Sequence, residues 1–69
     1  MQISARNVIA GTLVSIETGA VTAPVKIGIA PGRVVTAAIT NDAVASLKLE
    51  VGTSAYAVVK ASDVMIAVD

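Results

Sequence analysis

Between Val21 and Ile29 the chain alternates: Val21, Ala23, Val25, Ile27 and Ile29 fall on one side, and Thr22, Pro24, Lys26 and Gly28 on the other. A period of two is the repeat of extended backbone, so this segment is read as a strand with one buried face. The stretch before it, Val8 to Glu17, sets Val8, Ala10, Val14 and Ile16 against Ile9 and Leu13, so that both sides are apolar. Such a strand needs cover on both faces, as it would have inside an oligomer. Thr18-Gly19-Ala20 is short enough to join the two strands as a hairpin. Pro24 has no N–H to give to a ladder, which puts its nitrogen at a sheet edge or a bulge.

Ala30-Pro31-Gly32-Arg33 joins a residue of fixed φ to one that accepts positive φ and predicts a second turn. A third strand, Val34 to Thr40, follows. The period then changes. Ala43, Val44 and Leu47 are spaced for one helical face, and Thr40 or Asn41 can cap it, so a short helix is predicted over Asp42–Leu47. Glu50-Val51-Gly52-Thr53 turns the chain again. Ser54 to Lys60 then reads as a fourth strand and Met65 to Val68 as a fifth, with Ser62-Asp63 turning between them. Five short strands with one helix between the third and fourth is the element order of an all-β, OB-like Greek-key barrel. No linker or low-complexity segment interrupts the pattern, and residues 1–69 are read as a single domain.

Composition adds a demand for partners. A domain of 69 residues buries only about 60% of the surface its unfolded chain exposes, so small folds rely on staples. Disulfides are excluded, because the chain has no Cys, and hydrophobic residues make up 55% of it. That surplus points to subunit contacts. Five basic and five acidic residues cancel, leaving no field to attract nucleic acid or an anionic membrane surface. Met1-Gln2-Ile3-Ser4 leads directly into patterned sequence with no secretory signal, and charged or polar residues interrupt every apolar run before it reaches membrane-spanning length. A cytoplasmic location is the expectation.

The absence of His and Cys rules out a transition-metal cation site and thiol chemistry, and removes the usual general base. Asp42, Asp63 and Glu17 have no second catalytic group at a readable spacing, so no enzyme is expected. What stands out instead is a small set of cationic and hydroxyl donors in two segments near the ends, Ile3-Ser4-Ala5-Arg6-Asn7 and Lys60-Ala61-Ser62-Asp63-Val64-Met65. A guanidinium fork, a compact ammonium and neighbouring hydroxyls suit a small oxyanion. Donors with no nearby acceptor favour an anion that carries no proton. Ser4 serves equally well as a backbone-capping hydroxyl, and Thr40 as a helix cap. Glu17, Lys26, Arg33, Lys48 and Glu50 fall at turns or on strand faces where solvated charge is ordinary, and Tyr56 is expected in the core or an interface.

Four segments taken together resemble the molbindin (Mop) family: Ser4-Ala5-Arg6-Asn7, Gly19-Ala20-Val21-Thr22-Ala23, Ala38-Ile39-Thr40, and Val58-Val59-Lys60-Ala61-Ser62-Asp63-Val64-Met65. They occur in the family's order and separations, in a chain of matching length. The resemblance implies an OB-like fold and cytoplasmic binding of molybdate and tungstate for storage or homeostasis, with no organic cofactor. It also implies a homohexamer, a trimer of dimers, with anions held at subunit interfaces. Carried over by position, it implies that Ser4, Ala5 and Arg6 of one subunit face Lys60 and Ala61 of another, joined by Thr40. Some relatives carry a Ser where this chain has Ala43, which leaves only that residue's backbone amide to donate. A second class of anion site would lie in the loop Gly19, Ala20, Val21, Thr22. The competing reading is an OB-type nucleic-acid-binding module, which needs stacking aromatics and a basic groove; this chain has one Tyr and no net charge.

Overall fold

The computed structural model describes residues 2–69. Its strands are β1 (Asn7–Ile16), β2 (Thr22–Ala30), β3 (Arg33–Thr40) and β4 (Ser54–Val59). They form one antiparallel sheet in the order β3-β2-β1-β4. The helix α1 (Asn41–Ser46) lies between β3 and β4, and a 3₁₀ turn at Ala61–Asp63 follows β4. The sheet curls into a half-barrel, so that β2 and β4, which are not paired, touch across its concave side.

The alternation in β2 does what a period of two requires: Ala23, Val25 and Ile27 are buried on the concave face, where they meet Leu13 of β1 and Ala57 of β4. Leu13 is 1% exposed, and burying a side chain of that size contributes about 1.5–3 kcal/mol. The curl brings β1 very close to β2. A Cβ on Gly11 would lie 2.6 Å from the Gly28 carbonyl oxygen and 2.7 Å from the Ile27 side chain, so only glycine fits. Between Leu13 and Ser15 the β1–β2 register shifts, and the Leu13 N–H turns to the Thr53 carbonyl at 2.9 Å. A bulge of this kind bends its strand and sharpens the twist. Pro24 sits in β2 one residue beyond the last β1–β2 pair, Ile16 with Val25. Its carbonyl accepts the Glu17 N–H, and its missing donor falls where that ladder ends.

The cap of α1 is Thr40, whose hydroxyl accepts the Ala43 N–H at 3.1 Å. The helix runs one residue ahead of the segment the spacing predicts, and Leu47 closes it as the C-cap instead of packing from its face. Lys48 then takes φ 53, a left-handed conformation that commonly ends a helix. Val44 and Leu49 pack against the core.

The expected fifth strand, Met65 to Val68, does not form; residues 64–69 carry no regular structure, and the architecture is a four-stranded half-barrel. Met65, Ile66 and Val68 are 92%, 86% and 90% exposed. An apolar alternating segment signals a need for burial but does not say against which surface, and in one chain this segment reaches none. The place a fifth strand would occupy is open: an elongated cleft of about 590 Å³ separates β3 from β4. Val35, Ala37 and Ile39 line one rim, Ala55, Ala57 and Val59 the other, and Val25, Ile27 and Leu49 form its floor. Pairing of Val8 with Val58 and of Ala10 with Tyr56 places these four on the convex face, all exposed. Tyr56, expected in a core or interface, is 58% exposed. Within one chain β1 is therefore covered on its concave side only.

Candidate functional site

Asn7 pairs with Val59 at one end of the β1–β4 ladder, and the Asn7 side-chain amide donates to the Val59 carbonyl at 3.2 Å. Everything just outside that rung leaves the sheet side by side: Ser4, Ala5 and Arg6 before β1, and Lys60, Ala61 and Ser62 after β4. These six residues line one cavity of about 230 Å³. The sequence-predicted residues Ser4, Ala5, Arg6, Lys60 and Ala61 thus meet within a single chain, although they are more than fifty positions apart.

On the Lys60 side the wall is a tight turn. Asp63 N–H donates to the Lys60 carbonyl at 2.9 Å, and Val64 N–H to the Ala61 carbonyl at 3.4 Å. Ser4, Arg6, Lys60 and Ser62 are all exposed. None of the side-chain hydrogen bonds among the described residues involves any of them. Residues carrying two positive charges and two hydroxyls therefore line one cavity with their side-chain donors uncommitted. Chemically this cradle can receive a compact anion: the fork of Arg6 spans two oxygens, Lys60 adds a point charge, and the hydroxyls address what is left. Standing open to water, it attracts an anion weakly, since the interaction of unit charges 4 Å apart rises from about 1 kcal/mol in water to about 4 at the reduced dielectric near a protein surface.

Thr40 and Ala43 do not join this cradle. Thr40 pairs with Thr22 at the start of β2, which lies toward the opposite end of the β1–β2 hairpin. β1 alone has ten residues, and at about 3.3 Å per residue it spans roughly 30 Å. The Ala43 amide, expected to be free to donate, is already bonded to the Thr40 hydroxyl; the cap that starts the helix uses the donor. What Thr40 keeps is its hydroxyl proton.

Gly19, Ala20, Val21 and Thr22 form a loop tied to the start of α1. The Gly19 N–H donates to the Thr22 carbonyl at 3.0 Å, the Asn41 N–H to the Val21 carbonyl at 2.8 Å, and the Asn41 side-chain amide to the Gly19 carbonyl at 2.8 Å. None of these bonds uses the Ala20 or Val21 amide. The Asn41 Oδ1 beside them is buried and without a hydrogen-bond partner.

Three contributors escaped sequence reasoning as site-forming residues. Ser62 was read only as part of a turn, although a hydroxyl two positions from Lys60 was the available signal. Asn7 and Asn41 act by bonding to backbone across the fold, and an isolated asparagine gives no sign of such a partner. Among the described residues no cluster of His, Cys, Asp and Glu could hold a metal ion, and no helix is long and apolar enough to cross a membrane.

Comparison with known proteins adds three kinds of likeness. The family model described as the TOBE domain matches residues 3–66. A probable molybdenum-pterin-binding protein of Haemophilus influenzae is 49% identical over 69 residues, spanning all of both chains. Among solved structures, MopII from Clostridium pasteurianum in an apo form superposes with a TM-score of 0.90 at 43% identity, covering 97% of this chain and 100% of the other. The cytoplasmic molybdate-binding protein ModG, with molybdate bound, superposes with a TM-score of 0.88 at 48% identity. That match covers 94% of this chain and 46% of ModG.

Proposed function

Since the chain belongs to the TOBE-domain family, and within it to the molbindin (Mop) group of molybdenum-pterin and molybdate-binding proteins, we propose that its Arg6–Lys60 cradle is where it holds molybdate. The group is one of binding proteins, not enzymes. The observation that carries the reading is that Ser4, Arg6, Lys60 and Ser62 line one cavity, with none of their side chains in a hydrogen bond. A dianion placed there meets two formal positive charges, in a chain whose net charge is zero.

Molybdate and tungstate carry the same charge and tetrahedral shape, and the cradle accepts either. The binding sites belong at subunit interfaces, in a hexamer built as a trimer of dimers. Three features support this. The cradle is exposed in one chain, and a dianion is held tightly only where water is excluded and nearly every oxygen is hydrogen-bonded. Thr40, distant within one chain, has a hydroxyl proton to offer from another. Two separate apolar surfaces, the convex face of β1 and β4 and the β3–β4 cleft, stand uncovered, and a trimer of dimers needs two kinds of contact. The Gly19–Thr22 loop is a second, weaker anion site through the Ala20 and Val21 amides. The role is storage and buffering of molybdate in the cytoplasm. For nucleic acid the surface offers little: Tyr56, the one aromatic, sits on an apolar face three rungs from the cradle.

Calorimetric titration with molybdate, tungstate and sulfate, read beside native mass spectrometry, tests this. Tight uptake of the first two by a hexamer is the expected outcome. A monomer that releases no heat with either anion overturns the proposal.

A further inference from the structure

The cradle differs from the rest of the surface in one chemical respect: it joins a lysine amine to a set of oxyanion donors. Lys26, Lys48 and Lys60 are the chain's lysines, and all three are exposed. Lys26 stands in β2 between Ser15 of β1 and Thr36 of β3, and Lys48 takes its left-handed conformation just after α1. Neither lines the cradle. Lys60 does, together with a second cation, Arg6, and the hydroxyl-bearing Ser4 and Ser62. No carboxylate lines that cavity, and none of the side-chain hydrogen bonds among the described residues occupies the Lys60 amine.

A lysine amine is a nucleophile as well as a charge. The reagent that suits this placement carries an oxyanion and an acyl carbon in one small molecule, as an acyl phosphate does. Its tetrahedral phosphate end offers oxygens to the Arg6 fork and the two hydroxyls, and its acyl carbon lies one bridging oxygen away. We propose that Lys60 is an acylation site, modified by small acyl phosphates that the cradle holds by their phosphate.

The Lys60 ammonium first gives a proton to water. The amine nitrogen then bonds to the acyl carbon, the bond from that carbon to the bridging oxygen breaks, and its electron pair leaves with the phosphate. Of the two protons the nitrogen loses in all, one ends in water and one on the departing hydrogen phosphate. Holding the donor turns a chance encounter into reaction within a complex, so Lys60 reacts ahead of lysines that are equally exposed. The product is an uncharged amide, and the cradle keeps only the charge of Arg6. Acylation therefore acts as a switch that weakens the hold on molybdate. The modification rests on the cradle's taking an oxyanion, and its effect on molybdate rests further on the proposed function.

Acetyl phosphate is the probe, acetic anhydride is the control that carries no oxyanion, and peptide mass mapping of the intact protein reads occupancy at each lysine. Acetyl phosphate should fill Lys60 several-fold faster than Lys26 or Lys48, and the anhydride should show no such preference. Equal rates with acetyl phosphate, or the same preference with both reagents, overturn the proposal. Excess molybdate should slow the reaction at Lys60 alone. Arg6→Ala should bring Lys60 to the pace of the other two; if Lys60 keeps its lead in that variant, the donor is not held by the cradle. Calorimetry then reads the consequence. As Lys60 fills, molybdate affinity should fall by about ten- to a hundredfold, as expected for losing one hydrogen bond to a charged group. Lys60→Arg, which keeps the charge and lacks the reactive amine, should bind molybdate equally before and after treatment. Undiminished affinity at full Lys60 occupancy refutes the switch while the anion site stands. If untreated protein takes up no molybdate, the proposed function fails, and the relative rates at the three lysines still decide the acylation.

Discussion

The cradle and the junction between α1 and the Gly19–Val21 loop are both small polar regions in a largely apolar chain, yet they are built in opposite ways. At the junction most donors are committed: the Ala43 amide goes to the Thr40 hydroxyl, and both N–H groups of Asn41 tie down the Gly19 and Val21 carbonyls, leaving over the Ala20 and Val21 amides and the Thr40 hydroxyl proton. At the cradle no side-chain donor is committed, and the two cations stand in the open. Polar groups that satisfy one another hold a fold together; those left unsatisfied on one wall are available to a guest. Resemblance to a family draws residues from both regions into one site, and the structure separates those that line the cradle of a single chain from Thr40 and Ala43, which do not.

Four changes probe that contrast, in descending order of effect. Replacing both cations, Arg6→Ala with Lys60→Ala, should abolish calorimetric uptake of molybdate while leaving the thermal midpoint of the anion-free protein nearly unchanged. A large loss of anion-free stability would mean that the cradle is structural after all. In the intact protein, molybdate at about a hundred times its dissociation constant should add about 2.7 kcal/mol to stability, read as a raised unfolding temperature; an unmoved transition counts against a bound guest. Arg6→Ala alone should lose about 1.5–3 kcal/mol of binding free energy, the scale of a hydrogen bond to a charged group. Arg6→Lys, which keeps charge but not the fork, should fall between that variant and the native protein. On the other side, Thr40→Ala should cost about 1 kcal/mol of stability through its lost cap, seen as a lower denaturation midpoint without anion, and Thr40→Ser should restore it. If Thr40→Ala changed affinity alone, the separation between the two regions would collapse.

How far the chain could be read from its residues depended on how local the cause was. The alternation in β2, the two turns and the Thr40 cap are set by near neighbours, and they lie where the spacing puts them, the helix shifted by one residue. The bulge at Leu13–Ser15 left no trace, because alternation on paper continues through a register shift. For Met65–Val68 the apolar pattern was plain and its destination was not, since alternation names no receiving surface and the segment stays exposed in the single chain. Ser4, Ala5, Arg6, Lys60 and Ala61 were legible as a group through resemblance. Their union follows from one long-range rung, Asn7 with Val59, which no local rule announces. The engagement of the Ala43 amide was hidden for a different reason: a cap and a ligand draw on the same donor, and only coordinates show which has it.

The missing side chain at Gly11 has a reach beyond its own neighbourhood. Because β1 presses directly on β2 there, the bend of the whole sheet is set by a contact with no atoms to spare, and that bend fixes how far apart the two outer strands stand. A single methyl group at this position would act as a wedge at the centre of a hinge, spreading the rims and changing the gauge of the slot between them. The width of the opening is thus tied to a hydrogen atom packed against Ile27, in the floor of that same slot.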